Sequence, residues 1–384
     1  MKNEKSEQQR ICSKCVMDTS DPIISFDNNG VCDHCSDFEI HVKPNWHTDL
    51  SGRKQLMQII EKIKKAGNKK EYDCLLGLSG GVDSSYMLHI AVKEFGLRPL
   101  VFHVDGGWNS ELAVHNINVM IDGLKLDLFT EVINWDEMKD FQLAFFKSGV
   151  PHIDIPQDHA FIATLYHFAD KYKIKYILNG GNFSTECVQY PMKYYYYGTD
   201  MAQINDIRLR FGTKKMESYP FSSIFRHKIY LKYIKGVNVV KPLNYRPFVK
   251  KDALELLERE YGWKPYQQKH FESRFTRFYE SFWLPERFDF DPRIVQFSSL
   301  ILTGQMTREE ALEKMKSPAY NPGTIHEEFN FVATKLGISR EELQGYFTMP
   351  KKYYWDYKNQ QNIFRYGAKI MNVMGAEKVK KRDK

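Results

Sequence analysis

Between Tyr72 and Gly180 one pattern repeats, and it narrows the possible folds more than any other feature of the chain. Short apolar runs, YDCLLGLS, RPLVFHVD, DLFTEVIN and KYILNG, read as strands. Between them the spacing of apolar residues predicts helices over Ser84 to Phe95, Ser110 to Leu124, Trp135 to Lys147 and Ala160 to Tyr172. Strands that alternate with helices close through right-handed crossovers, so an α/β domain with a parallel sheet is expected. LMQIIEKIKK predicts one more helix ahead of the first strand, and from about Tyr266 the chain turns helical and aromatic-rich. In that last stretch Thr307 and Ser339 stand three residues before Glu310 and Glu342, the capping-box spacing of a helix start. The expected division is a cysteine-bearing zone at 1–46, the α/β domain at 47–265 and a helical region at 266–384.

The first strand runs straight into SGGVDSS. Gly80 and Gly81 have no Cβ, so the backbone can bend sharply and bring its amides close to a ligand. The helix that follows points its unpaired amides and its positive dipole end at the same place. Ser79, Ser84 and Ser85 add hydroxyl donors, so the turn is built to meet an anion, with a phosphate group the natural guest. Asp83 is the exception. It either holds a magnesium ion between itself and bound phosphates or caps the helix. The G-x-x-x-x-G-K pattern of the common triphosphate-binding loop is absent.

Of the six cysteines, four form the pairs CSKC (Cys12, Cys15) and CDHC (Cys32, Cys35). Two such knuckles across a short loop set four thiolates at tetrahedral corners, the pattern of a zinc site. With every corner filled by sulfur the metal has no open position, so a structural or docking role is expected. An iron–sulfur cluster is the alternative. His34 inside the second knuckle reads as a bystander, with a competing metal ligand as the alternative. The N-terminus MKNEKSEQQR lacks the apolar core of a signal peptide, and no stretch is long and apolar enough to span a bilayer, so a cytoplasmic protein without a membrane partner is expected.

SGGVDSS between strand and helix resembles the signature of the PP-loop family, the ATP pyrophosphatases. The resemblance implies a parallel-sheet, adenine nucleotide alpha hydrolase-like domain whose loop grips the pyrophosphate of ATP, carried here by a zinc-ribbon-like module in front and a helical region behind. It implies that Asp105, ending VFHVDGG, borders the adenosine, and that Gly180, Gly181 and Asn182 of LNGGNFSTE form a second nucleotide-side motif. Glu186 stands where ammonia-dependent members carry a magnesium ligand, displaced by a residue from some relatives. Lys241 of VKPLNYRP reads equally as a phosphate contact and as an exposed lysine.

Three motifs together, the leading C-x-x-C-V-M-D-T cluster, SGGVDSS and HFESRFTRFYESFWLPERFDFD, resemble the N-acetyl sugar amidotransferases of bacterial surface-polysaccharide synthesis. That resemblance implies conversion of an acetamido to an acetamidino group: ATP activates the amide oxygen, ammonia attacks, and AMP leaves. It implies ammonia from a separate glutaminase subunit, and a diacetamido sugar acid, possibly nucleotide-linked, as substrate.

If HFESRFTRFYESFW is one helix, Phe271, Phe275, Phe278 and Phe282 form a core stripe. His270, Arg274, Arg277 and Ser281 then share an adjoining face, which either binds a carboxylate or diphosphate or is solvated. Tyr194 to Tyr197 read as a half-buried strand with hydroxyls outward, or as rings that stack on a sugar or base. The rival class is a tRNA-modifying PP-loop thiolase, which needs a reactive cysteine. Cys187 is the candidate, although it and Cys74 read as small buried residues. The net charge of +7, spread along the chain, fits anionic small substrates as well as nucleic acid, but no dedicated RNA-binding domain or strongly basic stripe is read, so no nucleic-acid partner is expected. A non-catalytic zinc scaffold for a glutaminase would leave SGGVDSS unexplained.

Overall fold

The computed structural model describes residues 9–373. Two helices, α1 (Asp33–Asp37) and α2 (Leu50–Gly67), precede a five-stranded sheet. Its strands are β1 (Cys74–Gly77), β2 (Pro99–Asp105), β3 (Leu128–Val132), β4 (Tyr176–Leu178) and β5 (Asn238–Val240), all parallel, in the order β3-β2-β1-β4-β5. The first four coincide with the runs read from the sequence. The fifth, Asn-Val-Val, is too short and too exposed to announce itself, as suits an edge strand.

β1 leads into α3 (Val82–His89), which continues through residues 90–94 as a wider π-helical turn. β2 leads into α4 (Glu111–Leu124), and β3 into α5 (Trp135–Ser148) and α6 (Ile155–Lys171). α6 starts at Ile155 rather than Ala160, because Pro156 fits the first helical turn, where a missing N–H leaves nothing unpaired. β4 leads into α7 (Phe183–Glu186) and α8 (Met201–Phe211), and β5 into α9 (Lys250–Tyr261).

Apolar side chains alternate between the two faces of the sheet, and both faces are covered, as a parallel sheet requires. Leu75, Leu100, Phe102 and Ile177 pack with Phe141, Phe145 and Phe168 of α5 and α6. Cys74, Leu76, Val101 and Leu178 pack on the other side with Ile60, Leu88, Met120 and Leu257, from α2, α3, α4 and α9. Each fully buried leucine of this kind contributes about 1.5–3 kcal/mol relative to exposure.

The remaining helices are α10 (Arg274–Phe278), α11 (Leu284–Phe288), α12 (Arg293–Leu302), α13 (Arg308–Met315), α14 (Ile325–Leu336), α15 (Arg340–Thr348) and α16 (Gln361–Val373). Thr307 and Glu310 form the expected reciprocal capping box, and Ser339 accepts from the Glu342 amide. The cysteine zone does not stand apart. Cys12, Cys35 and Phe38 share one apolar core with Trp283, Phe290 and Phe329. Arg308 donates to the carbonyls of Cys12 and Cys15 at 2.9–3.1 Å, and the Val16 amide donates to Ser298 at 3.2 Å.

The tyrosine run is a turn and not a strand, and its rings disperse. Tyr194 stacks on Phe290, Tyr196 packs against Tyr354, and Tyr197 stacks on Phe364. Tyr195 donates to Glu280 at 3.0 Å. Among the described residues no helix is long and apolar enough to cross a membrane.

Candidate active site

The chain builds outward from β1 to β2 and β3, then returns to β4 on the other side of β1. At that switch the loops after β1 and β4 diverge, which leaves a crevice at the carboxyl ends of the strands, the place where open α/β sheets bind ligands. A cavity of about 830 Å³ opens there. Ser79, Gly81, Asp83 and Ser84 line it from the first loop, and Gly180, Gly181 and Glu186 from the second.

The first loop is held by its own hydroxyls. Ser79 Oγ lies 3.1 Å from Ser84 Oγ and accepts from the Gly81 amide at 3.3 Å. Gly80 takes φ +85°, and a Cβ on it would meet the Ala113 carbonyl at 2.8 Å, so this glycine serves close packing on α4. Gly81 is overlain by the Glu272 carboxylate, 1.9 Å from where a Cβ would stand. No side chain caps α3, so the amides of its first turn have no side-chain acceptor there.

Lys269 is the charge the sequence reading overlooked. Its ammonium lies 2.6 Å from Glu186 and 3.6 Å from Asp83, and so bridges the two loops. Burial pushes Asp83 above the usual carboxylate range, with Lys269 opposing. Glu186 feels burial in the same direction, but the closer Lys269 draws it below that range. Two carboxylates already sharing one cation are a donor set that fits a divalent ion. Asn182 caps α7 and reaches Asp83 at 3.3 Å. Lys241 is exposed, with its ammonium beside Gly181.

Other expected residues stand elsewhere. Ser85 is fully buried and accepts from the Trp263 indole at 3.2 Å, so it faces the core. Asp105 is turned back to accept from the Gly107 amide at 2.8 Å, and His103 and Val104 line the cavity in its place. The motif from His270 is not one helix. Its helix starts at Arg274, after Ser273 caps it, and His270 lies before it with φ +64°. The expected basic face is thereby split. Arg274 and Arg277 both pair with Glu328, at 2.9 and 2.7 Å, and are absent from the cavity wall. His270 stays on the wall, paired with Glu280 at 3.0 Å.

The wall also holds Lys250, His152, Asp154 and Gln157. The last three come from the stretch VPHIDIPQDHA, the loop after α5 and the first turns of α6, whose density of polar residues was the available signal. Cys187 is buried, and burial pushes its thiol up to about 12. Its Sγ lies 3.6 Å from the Ser299 carbonyl.

The cysteine cluster lies apart, in the core shared with the C-terminal helices. Its sulfurs are separated by 3.8 Å (Cys12 to Cys35) and 3.6 Å (Cys15 to Cys32, and Cys32 to Cys35). A tetrahedral zinc with bonds of ~2.3 Å sets sulfurs roughly 3.8 Å apart, so the donor set fits that ion. The Cys32 amide points at Cys12 Sγ at 3.2 Å, as suits a thiolate, and His34 instead pairs with Asp21 at 2.8 Å.

Residues 272–371 match the family model described as LPS biosynthesis protein WbpG-like, C-terminal domain. That segment is similar to the family so described. The matched segment takes in most of the third motif and supplies Glu272, Ser273, Thr276, Tyr279 and Glu280 to the cavity wall. Among solved structures the chain is similar to an NMN synthetase from Francisella tularensis, at 15% identity over 58% of this chain and 100% of that one, with a TM-score of 0.29. It is similar to an NH3-dependent NAD synthetase from Campylobacter jejuni subsp. jejuni, at 13% identity over 78% and 98%, with a TM-score of 0.30. An NAD+ synthetase from Burkholderia pseudomallei is similar at 13% identity over 60% and 95%, with a TM-score of 0.28. The chain matches none of the curated proteins.

Proposed function

We propose that this chain is an ATP-dependent ligase, forming AMP and pyrophosphate, that converts the acetamido group of a sugar to an acetamidino group in the assembly of a bacterial surface glycan. One observation carries the reading: the SGGVDSS loop and a WbpG-like segment form two walls of a single cavity. The first is chemistry for a nucleotide, and the second ties the cavity to lipopolysaccharide biosynthesis.

An amide carbon is a poor electrophile because its nitrogen donates into the carbonyl. Transfer of adenylate to the amide oxygen turns that oxygen into a leaving group, ammonia adds to the carbon, and AMP departs. Ser79, Ser84 and the first amides of α3 would bind the phosphate oxygens. Asp83 and Glu186 would hold magnesium, whose charge offsets that of the pyrophosphate, and Lys269 would then turn toward a phosphate oxygen. Tyr190 and Tyr195, with ring centres 4.2 Å apart on the wall, offer faces for a sugar ring. Ammonia would come from a glutaminase partner, and the four cysteines would hold a structural zinc. A diacetamido sugar acid is the substrate this reading favours.

The thiolase alternative needs a thiol ready to carry sulfur, and Cys187, buried with a raised pKa, is poorly suited to that. The test is mass spectrometry of the purified chain with ATP, ammonium and candidate diacetamido sugars. AMP should appear together with a product about one mass unit lighter than the sugar, since oxygen is exchanged for a nitrogen group. Cys187→Ser should turn over at the wild-type rate. AMP release that needs tRNA and stops in Cys187→Ser would replace this reading by the thiolase.

A further inference from the structure

One end of the cavity holds charge and hydrogen-bonding capacity that phosphate binding does not use. His152, in the loop between α5 and α6, is 5% exposed and lines the cavity, and neither ring nitrogen has a hydrogen-bond partner. Its Nε2 stands 3.4 Å from the Asp158 carboxylate without a hydrogen bond between them. A buried polar group left unpaired costs about 1–3 kcal/mol, so a bare imidazole in a cavity wall points to an occupant.

The surroundings say what kind. Asp154 and Glu280, 2% and 6% exposed, line the same cavity as Asp158. Asp154 accepts from Thr276 at 2.7 Å, and Asp158 and Glu280 act on it to raise its pKa further beyond the effect of burial. The nearby cations are already committed, Lys269 to Glu186 and His270 to Glu280. Among the described residues Asp154 has no cationic partner and Asp158 faces only the His152 ring. The imidazole is held against the rings of Tyr279, parallel to within 12°, and Tyr195, centred 5.0 Å away, which fixes its plane. A neutral hydroxyl would leave that charge uncompensated, and a bare alkali ion would leave the imidazole without a donor.

We propose that this end is a subsite for a small cation bearing N–H groups, ammonium or an amidinium, which donates to the His152 ring and to Asp154 and Asp158. The inference rests on the amidotransferase reading for what the cation does in turnover, as nitrogen donor or product group, but not for its binding.

The full chain, without nucleotide, is titrated with ammonium, acetamidinium or potassium chloride at constant ionic strength, following the His152 ring resonance in histidine-labelled protein. Asp158 has a half-exposed side chain, so Asp158→Asn keeps the packing and serves as the second variant beside His152→Gln. A saturable shift with ammonium or acetamidinium, at least about tenfold tighter than with potassium and weakened in Asp158→Asn, is expected. Ammonium alone marks a donor subsite, and acetamidinium a product subsite. Identical responses to all three salts would overturn the proposal. In turnover, both variants should raise the KM for ammonium by about tenfold with the KM for ATP unchanged. AMP release at the wild-type ammonium KM in both variants would sink the subsite and leave the amidotransferase standing. Selective cation binding without AMP release from any acetamido sugar would sink the amidotransferase and leave the subsite standing.

Discussion

Asp83 and Glu186 face the same ammonium, yet their pKa values move in opposite directions. Distance decides it. At 2.6 Å Lys269 outweighs the burial of Glu186, and at 3.6 Å it does not outweigh that of Asp83. Asp83→Asn and Ser79→Ala should each abolish AMP release while circular dichroism remains that of the wild type, because both side chains line the cavity and neither supports a core. AMP formation at the wild-type rate in both would remove the nucleotide from this loop. His270 gives a pH signature. Burial disfavours its charged form, but the Glu280 carboxylate prevails and raises it to about 9. A pKa raised above the ordinary 6.5 means the pair stabilises the fold in full below that value and is lost as pH climbs through about 9. Thermal unfolding should therefore move to lower temperature across that window in the wild type, and His270→Gln should show a flatter profile.

The elements bring this chemistry together through two loops that touch. A Cβ on Gly180 would stand 2.6 Å from the Asp83 carbonyl, and neither backbone has room to yield. Gly180→Ala should destabilise the chain by about 1–3 kcal/mol in urea denaturation, the range for forced overpacking. Ordinary stability would show that the loops after β1 and β4 sit farther apart. The glycines of SGGVDSS thus have separate duties: Gly80 packs on α4, and Gly81 leaves the space that Glu272 now fills. A turn motif marks where the backbone must bend, but which neighbour fills the freed space depends on segments brought from elsewhere in the chain, α4 for Gly80 and the turn before α10 for Gly81.

At the scale of the whole molecule, the cysteine zone and the C-terminal helices form one body with one core. If the four cysteines hold the proposed zinc, its removal should therefore loosen both. Chelation or Cys12→Ser should abolish zinc in elemental analysis and, in hydrogen exchange, release amides in α12 and α13 as well as in the two knuckles, because Ser298 of α12 and Arg308 of α13 bond to the backbone of the first knuckle. Loss of protection confined to the knuckles would show that the zone folds by itself. Local patterns determined much of this protein. Four strands, the helices between them, the glycine turn and the paired knuckles were legible in the sequence, because each depends on side-chain periodicity or on residues within one turn of one another. What the sequence did not display depends on distance along the chain. Lys269 reaches Asp83 and Glu186 only once α9 has carried it back across the sheet. Arg274 and Arg277 are drawn off the wall by Glu328 of a later helix, and Ser85 is claimed by Trp263. Charge and hydrogen-bonding groups act through space over a few ångströms, so which of them meet in the cavity was decided by tertiary packing alone.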